Sequence, residues 1–345
     1  MSNNPSQMID EPELTQPVYE CDANGNLNPK AIGWSRRPLQ ICNLSHHPFR
    51  KKLWNYWCFT NQKFLFSITV SNIDYMGLVF AYYLDFETKE FIEQTIMRPF
   101  GKECNLPPTV DGDVHFDDAH LSCAFTREAQ YTRIRVDGDS FGGKPLHADL
   151  RVFHPEDQET LNVIIPWSQT RYQFTSKQHC LPVEGIVQTN GQSNSFDPCD
   201  SNSCLDFGRG VWKYVSSWNW GGFSGTHDHH RVGINLGGKW TDGTGMNENG
   251  FFVDGKLTKL HEDIRWEYSA ADFMKPWKLT TTATNRVQLT FTPFYERVAK
   301  TNALVIQSEV HQMIGRYDGA ITPENGEPIA IDNQIGWAED HHARW

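Results

Sequence analysis

The sequence predicts an all-β protein in which many antiparallel strands, joined by short turns, close into a barrel or sandwich. Period-2 alternation is the first reason. In FLFSITV (64–70), Phe64, Phe66, Ile68 and Val70 alternate with Leu65, Ser67 and Thr69, and in VQLTFTPF (287–294), Val287, Leu289 and Phe291 alternate with Gln288, Thr290 and Thr292. Turn-forming dipeptides are the second: Asp137-Gly138, Asn190-Gly191, Asp254-Gly255 and Asn325-Gly326 punctuate the chain. Apolar residues at helical spacing are scarce, and the one short helix expected lies at RGVWKYVSS (209–217).

Along the chain, CDANGNLNP (21–29) offers Asp22, Asn24 and Asn26 at calcium-loop spacing. It lacks the glycine and glutamate that such a loop needs, so it reads as a tight turn. Residues 99–113, with Pro99, Pro107 and Pro108, read as a long connection. NVIIPWSQTRYQF (162–174) reads as two strands broken at Pro166, and 190–210 as a second loop-rich stretch. The halfway boundary is placed at Pro166, giving units 14–166 and 167–345.

With 31 basic and 42 acidic residues, the 345-residue chain has a formal charge of −11. A nucleic acid or an anionic membrane surface calls for a basic face, so neither is the expected partner. The polar, acidic start lacks a signal peptide's basic and apolar regions, and no apolar run reaches the roughly 20 residues of a membrane span. A cytoplasmic protein is therefore expected, with its eight cysteines as reduced thiols. Cys199 and Cys204 are poorly spaced for zinc. His227 and His229 share a strand face but fall where a hairpin tip is expected. Adjacent His341 and His342 point to opposite faces, and no metal is expected at either cluster. No phosphate-binding loop, dinucleotide fingerprint or nucleophile elbow is present.

Six stretches together resemble one known family: AIGWSRRPL (31–39), WNYWCF (54–59), WNWGGFSG (218–225), GINLGGKWTDGTGMNENG (233–250), VHQMIGRYDG (310–319) and GWAEDHHARW (336–345). They resemble the family known as domain of unknown function 2804, over nearly the whole chain. That family is distantly similar to calycin-like two-barrel proteins, among them carotenoid hydratases and fungal cyclases. The resemblance implies two consecutive antiparallel calycin- or lipocalin-like barrels or half-barrels. It also implies a cavity for a hydrophobic small molecule and no cofactor. It supplies no assigned reaction and no catalytic residue.

The residues themselves suggest a site. In 233–250, six glycines surround Lys239, Asp242 and Glu248, as expected where a strand and loop leave room beside a cavity. A carboxyl beside a tryptophan wall is raised toward neutrality, which suits a general acid. Asp242 is thus the expected acid, assisted by Glu248 or Glu267, although Asp242 and Glu248 equally suit turn caps paired with Lys239. Trp218 and Trp220 share one face of an extended segment, with Asn219 on the other. Trp218, Asn219, Trp220, Lys239 and Trp240 are the expected substrate contacts. In IRWEY (264–268), Glu267 falls on the solvent side if the apolar face is core. In IQSEVHQ (306–312), Gln307, Glu309 and His311 form a polar row expected to face water. Trp337, Arg344 and Trp345 are expected to dock and close the last strand, with a Glu339–Arg344 ion pair. The expected function is a cofactor-independent hydratase, isomerase or cyclase acting on a hydrophobic small molecule. A lipid or isoprenoid binder is the alternative, and a carbohydrate-active enzyme the third reading.

Overall fold

A computed structural model describes residues 8–303, 306–324 and 326–345. Met1–Gln7 of the polar start and Asn325 of the Asn325-Gly326 turn lie outside the described residues. Three two-residue strands, β1 (Val18–Tyr19), β2 (Trp34–Ser35) and β3 (Gln40–Ile41), belong to an N-terminal strap. A first sheet follows with β4 (Lys51–Thr60), β5 (Phe64–Asn72), β6 (Met76–Asp85), β7 (Phe91–Pro99), β8 (Val114–Phe116) and β9 (Leu121–Arg127). It continues with β10 (Tyr131–Phe141), β11 (Lys144–Phe153), β12 (Leu161–Ser168), β13 (Arg171–Thr189), β14 (Gln192–Phe196) and β15 (Asn202–Val211). The second sheet contains β16 (Val215–His227), β17 (His230–Gly238), β18 (Gly250–Val253), β19 (Lys256–Lys259) and β20 (Ile264–Glu267). Its remaining strands are β21 (Trp277–Thr281), β22 (Val287–Ala303), β23 (Ile306–Ile321) and β24 (Ile329–Arg344).

The main path of the first sheet runs β7-β6-β5-β4-β15-β13-β11-β10-β9-β8, with β12 and β14 paired to β13 and β2 paired to β12. The second runs β19-β18-β17-β16-β24-β23-β22-β21-β20. Both are antiparallel and curl into half-barrels, as the all-β reading requires. Among the described residues the sole helical element is the short 3-10 turn Pro29–Ala31. The helix expected at 209–217 is instead the end of β15, a short connection and the start of β16. Its residues pair in register with β4 and β24, and those ladders outweigh local propensity. Pro166 lies inside β12, opposite Tyr172, and the chain passes from the first sheet to the second between Val211 and Val215.

Among the turn dipeptides, Asn190-Gly191 and Asp254-Gly255 sit between paired strands with positive φ at both residues, the conformation that two-residue hairpins favour. Asp137-Gly138 does not turn the chain. It lies within β10 next to a bulge, and the turn falls at Gly142-Gly143. Asp22 Oδ1 accepts the backbone N–H groups of Asn24 and Asn26, which makes 21–29 the tight turn expected. Residues 99–113 do connect β7 to β8, whereas most of 190–210 is strand.

The alternations point to real faces. Phe64, Phe66, Ile68 and Val70 enter the core of the first half-barrel, and Val287, Leu289 and Phe291 that of the second. The opposite face of β4–β6 is not in water. Tyr56, Cys58, Leu65 and Tyr82 pack there against Trp220, Ile314, Ile335 and Trp337 of the second sheet. Phe91 stacks against Tyr295, Tyr82 donates to Gln312 Oε1 at 2.9 Å, and Arg297 pairs with Glu93 at 2.5 Å, all across this seam. The strap ties the halves further: Glu11 is buried and ion-paired with Lys259 at 2.5 Å.

Glu20, also on the strap, is fully buried, and burial raises its pKa to about 8 although Cys42, Arg209 and the Phe174 backbone pull it back. Stability that depends on its neutral form is complete below the ordinary glutamate pKa and is lost as pH rises toward 8. Glu20→Gln keeps the neutral shape. It should therefore stabilise the protein by roughly 4 kcal/mol at pH 8 and change little at pH 4. Urea unfolding at the two pH values checks this, and an equal gain at both would contradict it.

Candidate active site

A cavity of about 450 Å³ lies in the seam between the two half-barrels. Its walls follow from strand alternation. On β24, Glu339 and His341 point to the seam while Asp340 and His342 point away, and the register sets Trp220 beside Glu339 and Trp218 beside His341 on β16. On the first sheet, Lys177 of β13 sits opposite Asp206 of β15, with Thr69 of β5 and Tyr56 of β4 nearby. Ser308, Val310 and Gln312 of β23 line the cavity, and the alternating row Gln307, Glu309 and His311 faces away from it. Six of the chain's twelve tryptophans line it: Trp54, Trp212, Trp218, Trp220, Trp240 and Trp345.

Buried charges collect at one end. Lys177 Nζ lies 2.8 Å from Asp206 Oδ2 and 3.2 Å from Glu248 Oε2, and 4.4 Å above the Trp220 ring. Burial opposes its charge, but the Asp206 and Glu248 carboxylates raise its pKa above the ordinary lysine value. Glu248 Oε1 accepts the Trp240 indole N–H at 2.7 Å, whereas Oε2 has only the close, poorly aligned ammonium. Burial raises the Glu248 pKa and Lys177 pulls it back.

Glu339 has no direct ion pair among the described residues, and Lys177 and Arg297 act on it only from a distance. It is buried, its Oε1 accepts the Trp218 indole N–H at 2.9 Å, and burial lifts its pKa to about 7. His341 packs against Trp218, tilted at 43° with 3.9 Å between centroids, and bonds Ser308 Oγ at 2.8 Å through Nε2. Burial lowers its pKa to about 3, so the imidazole is neutral.

The structure brings Trp218, Trp220, Trp240 and Glu248 together on this cavity, and leaves the other four expected residues outside it. Asp242 is exposed, and its Oδ1 accepts the backbone N–H of Lys239: it caps the turn. Asp242→Asn retains that cap, so unfolding should shift by less than about 0.5 kcal/mol and cavity binding should be unchanged. Glu267 is exposed on the edge strand β20, because Ile264 and Trp266 take the inner face. Lys239 has positive φ, donates to the Tyr268 hydroxyl at 2.8 Å and pairs with Asp340, on the face of β24 away from the cavity. Asn219 points the same way and donates to Glu339 O and Asp340 Oδ2.

The glycine-rich stretch does clear room, one strand-face from where Asp242 lies. A Cβ on Gly237 would stand 2.3 Å from Glu248 Oε1, so the glycine is what admits that side chain. Glu339, His341, Lys177, Asp206 and Arg297 were not among the expected site residues. The available signal was the alternation of Trp337, Glu339 and His341 in GWAEDHHARW. This segment does not close an edge: β24 lies mid-sheet between β16 and β23, and Glu339 bonds Trp218 rather than pairing with Arg344.

All eight cysteines are free thiols, seven of them buried. His227 and His229 do lie at the β16–β17 hairpin. Among the described residues, no helix is long and apolar enough to cross a membrane. No curated protein matches the chain. Similar solved structures include a protein assigned as AttH from Nitrosomonas europaea, at 11% identity over 86% of this chain and 93% of that one, with a TM-score of 0.48. Kievitone hydratase from Nectria haematococca is similar at 9% identity over 98% of each chain, with a TM-score of 0.40. CghA is similar at 10% identity over 85% of this chain and 88% of that one, with a TM-score of 0.45. Residues 11–345 match the family described as Domain of unknown function (DUF2804), and the chain belongs to that family.

Proposed function

We propose that the protein is a cofactor-independent enzyme of the hydratase, isomerase or cyclase type, acting on a hydrophobic small molecule in the seam cavity. The observation that carries this reading is Glu339, a buried cavity carboxyl with no direct ion pair among the described residues, whose pKa burial raises to about 7 against the more distant Lys177 and Arg297. A binding protein has no need of a desolvated acid in its ligand cavity, and it costs stability to keep one.

The chemistry follows from the walls. Trp218 N–H fixes Glu339 Oε1, which leaves the proton for Oε2. Transfer of that proton to a carbon–carbon double bond places positive charge on the substrate, and the negative faces of the surrounding indoles stabilise it. The cation is resolved by water in a hydration, or by loss of a neighbouring proton in an isomerisation or cyclisation. Glu248, which lines the cavity, is the acceptor for the proton released. Lys177 pulls the Glu248 pKa down against its burial and so favours the carboxylate form for that step. General acid and base groups of this sort contribute about 10²–10⁴-fold each.

The test is to incubate the protein in D₂O with a panel of apolar alkenes and phenolic olefins and follow products by mass spectrometry. Products gaining one carbon-bound deuterium, and only with Glu339 intact, are expected. Saturable binding of panel members without any conversion would favour the lipid or isoprenoid binder instead.

A further inference from the structure

The strap does not reach the seam cavity: none of residues 8–41 lines it. One strap side chain is nevertheless joined to the cavity's Glu248 through a single neighbouring residue. Glu11 is buried against the second half-barrel, where its Oε1 accepts the backbone N–H of Asn247 at 2.7 Å. Its Oε2 accepts Lys259 Nζ at 2.5 Å and lies 2.8 Å from His261 Nδ1. Lys259 Nζ donates in turn to Asn247 Oδ1 at 2.6 Å and to Leu260 O at 2.9 Å.

Residues 247–249 are all buried and are held as one knot. Asn247 Oδ1 accepts the Asn249 N–H at 2.8 Å, and both asparagine amides donate to Glu262 O. Asn249 Oδ1 accepts the N–H of Gly237, the glycine that admits the Glu248 side chain, at 2.7 Å. Between the asparagines, Glu248 O accepts Asn235 Nδ2 at 2.6 Å and Glu248 Oε1 accepts the Trp240 indole at 2.7 Å. The loop just upstream turns through Gly243 and Gly245 at positive φ in open space, which lends it little stiffness. On that side the knot is therefore held by the buried Met246 and by Glu11. Without Glu11 the Asn247 N–H would be buried with no acceptor, a cost that displacing the segment relieves.

We infer that Glu11 is a positioning residue: through the Asn247 N–H, the strap sets where the Glu248 carboxyl stands in the seam cavity. The consequence for turnover rests on Glu248 being the proton acceptor of the proposed reaction; the consequence for geometry does not.

Two double variants isolate the bond. Glu11→Gln with Lys259→Met keeps an oxygen for the Asn247 N–H, Glu11→Met with Lys259→Met removes it, and both lack the buried ion pair. The readout is the Trp240 indole N–H signal in NMR spectra of nitrogen-15 tryptophan-labelled protein, assigned by its absence in Trp240→Phe. The Gln-containing variant is expected to keep the wild-type signal, and the Met-only variant to shift it upfield as its bond to Glu248 weakens. For a substrate converted in a Glu339-dependent way, kcat should fall by up to about 10²-fold in the Met-only variant with KM little changed, and recover in the Gln-containing one. Arg36→Met cuts the strap's ties to Glu13 and Glu159 instead and should leave the signal in place. In wild-type protein the Asn247 amide should resist exchange in D₂O as sheet amides do, which tests the bond even if a variant does not fold. The inference is overturned by a fast-exchanging Asn247 amide, by the same signal in both double variants, or by an equal shift in Arg36→Met. The signal is read without substrate. An unmoved signal beside Glu339-dependent turnover therefore defeats this inference alone, and a moved signal with no turnover of any substrate defeats the catalytic reading alone.

Discussion

Glu339→Gln is expected to lower turnover of any converted substrate by about 10²–10⁴-fold while leaving the fold and the cavity's shape intact. Glutamine still accepts the Trp218 N–H but has no proton to give. The wild-type rate should fall as pH rises through about 7, because only the protonated carboxyl is an acid. Stability moves the opposite way in the variant. Since the folded pKa lies above the ordinary glutamate value, wild-type stability is complete at acid pH and is lost as pH rises toward 7. Glu339→Gln should therefore unfold at higher temperature than wild type at pH 8 and match it near pH 4. A variant that is both inactive and less stable at pH 8 would mark Glu339 as architectural.

Lys177→Met should have the largest effect on stability. It leaves Asp206 and Glu248 buried and facing each other without their shared cation. Removing one partner of a buried ion cluster typically costs about 3–5 kcal/mol. Without the ammonium the Glu248 pKa, already raised by burial, rises further. The stability tied to the neutral form of Glu248 is then present at acid pH and lost as pH climbs, so the loss should be greater at pH 8 than at pH 5. Adding Glu248→Gln should recover part of it at pH 8. Urea unfolding of the single and double variants measures both effects, and a loss equal at the two pH values would contradict the assigned charges.

The fold was legible because period-2 patterns survive in sequence: Phe64, Phe66, Ile68 and Val70 all face one core. The surroundings of their alternates were not legible. Ser67 and Thr69 look like a solvent face, yet both are buried, because the second half-barrel covers that side of the sheet. Ser67 turns inward to donate to Trp57 O, and Thr69 becomes cavity wall. A single strand cannot announce that a distant sheet will pack on its polar face. The same blindness shaped the site. Glycines beside charges correctly marked 233–250 as a place of close approach, but which charge approaches depends on the loop. Asp242 turns to the surface to cap Lys239, and Glu248, six residues on, reaches inward past Gly237. The tryptophans were recoverable because bulk and spacing are local properties. Glu339 was passed over because its meaning depends on Lys177 pairing elsewhere, with Asp206 and Glu248, which no spacing in the chain records.

The proposed acid depends on Glu339 holding its proton close to neutrality inside the seam. Carbon-13 NMR of glutamate-labelled protein, titrated from pH 4 to 9 and compared with Glu339→Gln, measures this without knowledge of any substrate. One carboxyl resonance, absent in the variant, should titrate with a midpoint near 7; a midpoint at the ordinary glutamate value of about 4.3 would contradict the account.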